Sequence, residues 1–355
     1  MFRKYLAITL ILFLLPVWWG CEESESSSSP DLSDNPPEWL IPTNEIFDGG
    51  PGKDGIPALT TPEMANAGTI SYLNDNDLVI ATKLDGEVRI YPHKILDWHE
   101  IINDVINDHR FAITYCPLTG SGISYDRVLN GRVTTFGVSG LLYNTNLIPY
   151  DRATNSNWSQ MKMMSVNGDL IGQTADTFPI IETTWGNLKS FYTEAKVVTT
   201  NTGHSRNYNR FPYGDYKTNH NFLLFPVSHK DDRLPRKERV LGIFHNGVAK
   251  AFRFSSNTLS LIESNVGGTN IVVVVSKNDN LIMAYQPELV NGEKVSLSVD
   301  NNSLPVIMKD ENNNEYDIFG TVVSGPAEGE RLKSVTQFIA YWFAWAAFYP
   351  ETSLQ

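Results

Sequence analysis

Leu78-Val79-Ile80-Ala81-Thr82-Lys83-Leu84-Asp85-Gly86-Glu87-Val88-Arg89-Ile90-Tyr91 sets an Asp-Gly pair between two apolar alternations. Such a pair is the strongest short-range signal for a hairpin, because the two-residue turn that joins twisted strands needs positive φ. The pattern returns around Asn-Gly in Arg239-Val240-Leu241-Gly242-Ile243-Phe244-His245-Asn246-Gly247-Val248-Ala249-Lys250-Ala251-Phe252. Two more anchors repeat in the same order. Leu129-Asn130-Gly131-Arg132-Val133 matches Val290-Asn291-Gly292-Glu293-Lys294-Val295. Trp185 with Phe191-Tyr192 matches Trp342 with Phe348-Tyr349 at identical internal spacing. Ordered self-similarity of this kind marks duplicated structural units. The predicted fold is α+β and β-rich, with two internally related halves of antiparallel hairpins, each with short helices. The first unit spans residues 39–225 and carries the candidate site. The second, residues 226–355, reads as a degenerate repeat.

Within the first unit the apolar run Phe111-Ala112-Ile113-Thr114 leads into Tyr115-Cys116-Pro117-Leu118-Thr119-Gly120-Ser121-Gly122 and out through Ile123-Ser124-Tyr125. A thiol therefore sits where a strand leaves its sheet. Pro117 holds Cys116 extended, and Gly120 and Gly122 let the chain turn tightly. Binding groups collect at such strand ends. Upstream, Pro92 is placed to open a helix. The expected helix runs through Ile95 to Asp104 and sets His99 on one face with Ile95, Leu96, Ile102, Asn103 and Ile106. An imidazole on an apolar face needs a partner. The next strand ends at Cys116, so His99 is expected beside that loop. In the second unit Ser276-Lys277 stands where Cys116 would, and the expected helix region Ser256 to Glu263 has no histidine. The chemistry is thus placed in the first half. Ile339 to Phe348 is apolar on nearly every side and should be buried.

The N-terminus has its own reading. Phe2 to Lys4 is a basic start, Tyr5 to Val17 an apolar core, and Gly20-Cys21 a small residue before cysteine. This resembles a bacterial lipoprotein signal over residues 1–20, with Cys21 acylated by chains such as palmitate. Residues 21–38, rich in serine and proline, read as a disordered tether. The expectation is an exported chain, lipid-anchored in the bacterial cell envelope at the outer membrane or periplasmic face, with the membrane as its partner. Of two cysteines in the chain, Cys116 would be the only thiol left free. The formal net charge of −12 and the lack of a basic run argue against nucleic acid as a partner.

Three chemistries fit Cys116. With His99 and His93 it could ligate a soft metal, copper or zinc being the ions that thiolate and imidazole suit. As a nucleophile it would take His99 as base, with Asn103 or Asp126 orienting the ring. In the third reading the site binds a small polar ligand or a protein partner. Tyr115, Thr119, Ser121, Tyr143, Asn144, Arg152, Trp158, His204 and Arg206 would supply the directed polar and aromatic groups. Binding is the expectation, with the metal site or cysteine-dependent enzyme as its alternative.

Asp54-Gly55-Ile56-Pro57-Ala58, Trp98 to Asp104, Thr114 to Ser121, Thr135 to Asn144 and Trp158-Ser159-Gln160 together resemble the bacterial and archaeal family catalogued as domain of unknown function 3179. The resemblance runs over about residues 50 to 350 and implies the fold unit and its residues of interest rather than a reaction. Many members of that family read Cys-Pro-Leu-Cys where this chain has Thr119. A dithiol–disulfide mechanism at the motif is therefore excluded here.

Overall fold

In the computed structural model, which describes residues 38–300 and 304–355, the Asp85-Gly86 pair forms the expected turn. Strands β1 (Leu78–Leu84) and β2 (Glu87–Pro92) run antiparallel with Leu84 opposite Glu87. The expected signal at 1–20, Cys21 and the tether up to residue 37 lie outside the described residues.

Helix α1 (His93–His99) follows β2 directly but is shorter than expected. Glu100 leaves it with φ 57°, its amide still bonded to the Leu96 carbonyl. Ile101 to Ile106, read from sequence as the rest of the helix, is instead strand β3 (Ile101–Ile106), paired with β4 (His109–Cys116) across a two-residue turn. Four of its six residues are β-branched, which favours a strand, and all but Val105 are buried. Strand β5 (Ser121–Asp126) returns along β4, setting Cys116 opposite Ser121. The long hairpin of β6 (Phe136–Tyr143) and β7 (Asn146–Asp151) belongs to a separate five-stranded sheet. Strand β8 (Ile181–Thr184) then enters α2 (Trp185–Phe191), and β9 (Lys196–Val198) closes this half.

The second half is built from β10 (Arg239–His245), β11 (Val248–Arg253), β12 (Ser260–Val266), β13 (Thr269–Ser276), β14 (Leu281–Leu289), β15 (Gln337–Tyr341), α3 (Trp342–Phe348) and β16 (Ser353–Leu354). The helix expected over Ser256 to Glu263 is absent. Those residues lead into β12, whose Leu261 and Ile262 pair with Val274 and Val273 of a valine-rich strand. One sheet order occurs twice. The strands run β8-β1-β2-β9 in the first half and β15-β10-β11-β16 in the second. In each, the strand feeding the aromatic helix is antiparallel to the hairpin's first strand, and the short closing strand is parallel to its second.

All seven residues of α3 are buried, as its composition implied. Trp345 lies so close over Gly242 that a Cβ there would be 2.1 Å from the indole. One apolar cluster joins Cys116, Leu118, Tyr143 and Trp158 of the first half to Tyr341, Trp342, Phe343 and Trp345 of the second. Residues 199–238 between the halves form no helix or strand. Among the described residues no helix is long and apolar enough to cross a membrane.

Candidate functional site

Cys116 ends β4 with its Sγ 3.7 Å from the Thr145 carbonyl and is 1 % exposed. Gly120 turns the loop back with φ 59° beneath the Tyr341 ring, which a Cβ would meet at 2.9 Å. Burial pushes the thiol up to about 11, and the nearby Glu100 carboxylate adds to the effect. Hydrogen bonds from Thr119 and from the Leu147 amide offset part of it. A thiol so placed is a poor nucleophile at neutral pH, because the thiolate is the reactive form.

His99 is buried but turned to other partners. Its Nδ1 lies 2.7 Å from the Pro57 carbonyl and its Nε2 2.7 Å from the Tyr208 hydroxyl. A carbonyl can only accept, so Nδ1 carries the proton and Nε2 accepts from the tyrosine. Neither nitrogen is left for Cys116, and the expected hydrogen-bonded thiol–imidazole pair is not formed. Burial, opposed by the Pro57 bond, lowers the ring to about 4, with His204 and Arg206 contributing. His93 stands against Tyr115, ring centroids 4.4 Å apart, with Nε2 3.5 Å from Glu182. No three His, Cys, Asp or Glu side chains among the described residues are grouped to hold a metal ion together. The expected Cys116–His99–His93 ligand set is therefore not assembled.

The proposed orienting residues serve the fold instead. Asn103 brackets two segments, donating to the Leu59 and Phe136 carbonyls and accepting from the Phe136 amide. Asp126 sits at the far end of the β4–β5 hairpin, opposite Phe111, and accepts from the Val128 amide. At about 3.3 Å per residue that is on the order of 17 Å from Cys116.

Of the expected ligand-binding side chains, Thr119 and Ser121 belong to a buried network. Asn146 Nδ2 donates to Thr119 at 2.9 Å and to Gln160 Oε1 at 2.6 Å, while Ser121 donates to Gln160 at 2.8 Å. Gln160 Nε2 in turn reaches Thr114. Trp158 is core, edge-on to Phe136. Tyr143 packs edge-on to Phe348, and Asn144 accepts from the Ser228 amide. Arg152 pairs with Asp54 at 2.7 Å. His204 and Arg206 are exposed, the first beside the His99 ring and the second over Trp98.

The group that stands out is Glu100, which composition alone did not single out. It is 6 % exposed, and its carboxyl group makes no hydrogen bond or ion pair among the described residues, whereas its main chain is satisfied by Leu96 and Tyr115. Burial alone pushes it up to about 8. Glu100 lines a cavity of about 60 Å³ whose other walls include Ile56, Leu118, Leu142, Leu147, Tyr213 and Phe225. Leu118 and Leu147 join this cavity to the thiol, since the first shares the Cys116 loop and the second hydrogen-bonds the sulfur. A carboxyl between helix and strand at positive φ could have been found from one sequence cue. Glu100 is the lone acid set directly against the apolar pair Ile101-Ile102.

The segment 199–238 covers this region and is pinned along its length. Trp98 donates to the Arg210 carbonyl, Lys217 pairs with Asp97 at 2.9 Å, and Thr145 donates to the Phe225 carbonyl at 2.7 Å. Lys237 ties the segment to itself through the carbonyls of Tyr216, Asn219 and Phe222. A roomier groove of about 410 Å³ lies beside Ser124, Thr177 and Gln337. It holds no thiol, and its one acid, Asp176, is exposed. The chemistry favours the smaller cavity, where a buried ionisable group has no partner.

In comparisons with curated proteins and with solved structures, nothing matches the chain. Residues 53–352 match the family model described as protein of unknown function (DUF3179). That span takes in the Cys116 loop, Glu100 and the covering segment, and the chain belongs to this family.

Proposed function

We propose that this chain is an exported lipoprotein whose first half binds a small ligand in the cavity lined by Glu100 and backed by Cys116. One observation carries the binding reading: a buried carboxyl without a partner faces an otherwise apolar cavity. Such a group is costly to bury. A ligand that satisfies it would recover that cost and gain contact with the surrounding leucines. The pattern of an apolar wall with one directed polar group is that of small-molecule sites. The anchoring half of the proposal is supported by Gly20-Cys21 after the apolar run Tyr5 to Val17.

Tight burial of the thiol and the engagement of both His99 nitrogens weigh against nucleophilic chemistry at Cys116. The test of binding is a set of alcohols, amides, acids and amines of up to four carbons, added singly to the isotope-labelled protein. Amide shifts localised at Leu118, Leu147 and Tyr213 with any one of them support the reading. A set that leaves those resonances unmoved overturns it.

A further inference from the structure

Every other buried acid among the described residues has a cation or a donor. Asp97 has Lys217, Asp104 has Arg89, Glu182 has Arg239, Asp300 has Lys309 and Asp317 has Lys83. Asp151 is met by Thr154 and Trp158, and Asp310 by Asn314 and Tyr316. Glu100 has neither, and no lysine, arginine or histidine lines its cavity. The cavity therefore holds an acid with no cation beside it. Two of its walls are the rings of Tyr213 and Phe225, whose faces attract cations. The chain as a whole is strongly acidic, with formal net charge −12, which raises the local concentration of cations over anions.

We propose that the Glu100 cavity takes a small organic cation, an alkylammonium of one to three carbons, with its charge on the Glu100 carboxylate and its alkyl part against the apolar wall. This rests on the cavity being a binding site and adds the class of ligand. About 60 Å³ has room for roughly four to six water-sized atoms at about 10–15 Å³ each, enough for a cation of this size. An anion would enter without a counter-charge, and a neutral alcohol would leave the carboxyl in its protonated form. The ammonium supplies three donors and a full charge to the carboxylate. In the empty cavity the Glu100 carboxyl is mostly protonated at pH 7. Binding then exchanges one proton for one ammonium ion: the acid's proton leaves to solvent and the carboxylate pairs with the incoming cation.

The experiment follows the ¹³C resonance of the Glu100 carboxyl in the purified protein during titration with ethylammonium chloride. Parallel titrations use sodium chloride at equal ionic strength, 1-propanol and sodium propionate. The expected result is that ethylammonium alone moves the resonance to its ionised position at pH 6.5. Its affinity should rise more than tenfold from pH 6 to pH 8, as competition with the proton fades. Glu100→Gln, which keeps the shape of the side chain, should lose that binding while retaining the wild-type amide spectrum elsewhere. Propanol or propionate binding at Leu118 and Leu147 without ethylammonium would keep the pocket and overturn the cation. An equal response to sodium overturns it too, as a nonspecific salt effect. No response to ethylammonium overturns the cation, and the binding reading beneath it falls when the wider set of alcohols, amides, acids and amines leaves the cavity resonances unmoved as well. The wild-type titrations decide the matter even if the variant fails to fold.

Discussion

At the scale of single residues, Glu100 and His99 make the stability of the fold depend on pH in opposite directions. Glu100 is raised from 4.5 to about 8, so between those values the folded chain holds a proton that the unfolded chain has lost. Stability therefore falls as pH climbs from 4.5 to 8. His99 is lowered from 6.5 to about 4, so on acidification the unfolded chain takes up its proton first. Stability falls again as pH drops from 6.5 to 4. Glu100→Gln removes the first effect and keeps the second. Denaturant titrations should find the variant on the order of 2–5 kcal/mol more stable than wild type at pH 9 and nearly equal to it at pH 4.5. Equal stabilities at pH 9 would show that the carboxyl is hydrated rather than desolvated. Cys116 gives a second expectation. With the thiol raised to about 11 and 1 % exposed, native protein at pH 8 should react with maleimide at least a hundredfold more slowly than unfolded protein, because little thiolate is present. A native rate within tenfold of the unfolded one would mean that the loop opens readily.

At the scale of elements, the hairpins were legible and the helix ends were not. Asp85-Gly86, Asn246-Gly247 and Asn130-Gly131 each turn where they were read, because the two-residue turn is decided by its own residues. Ile101 to Ile106 was misread because its apolar residues satisfy two periods at once. They fit one helical face with Ile95 and Leu96, and they also fit a strand buried on both sides. Tertiary pairing with β4 decides for the strand, and nothing local to the run announces it. That misreading moved the site as well: ending the helix at His99 puts Glu100 at the corner and turns Asn103 into a bracket between strands. The anchor of α3 was legible only as composition. The requirement for glycine at 242 follows from the Trp345 ring lying on it. Gly242→Ala should therefore destabilise the protein by about 2–4 kcal/mol through overpacking. Gly247→Ala, in an open turn with nothing within 4 Å of the added methyl, carries only the strain of its φ of 77°. Thermal unfolding of the two variants compares them directly. A smaller loss at 242 than at 247 would mean that α3 shifts to make room.

At the scale of the whole molecule, β15 and α3 of the second half share one apolar cluster with Cys116, Leu118 and Tyr143 of the first, so the Cys116 loop is covered by the half that lacks its reactive residues. Tyr341 covers the Gly120 turn, and its amide donates to the Thr119 carbonyl at 2.8 Å. If the chain is anchored as proposed, Cys21→Ala should move it from the membrane pellet to the soluble envelope fraction, or leave it as unprocessed precursor. Unchanged fractionation and processing would end the lipoprotein proposal.

The position of Tyr341 also has a consequence for the order in which the molecule can be made. A chain that emerges N-terminus first presents the Cys116 strand some two hundred residues before the ring that seals its loop. Contacts so distant in sequence are slow to form, and the surfaces awaiting them stay open in the meantime. Until β15 and α3 arrive, the nascent first half has an unsealed Cys116 loop and an open apolar face. The second half can thus be understood as a late-arriving closure for the Cys116 loop of the first. Its nearest counterpart in cellular logistics is a chaperone carried on the same chain, and the interval before it docks is when Cys116 is most open to oxidants.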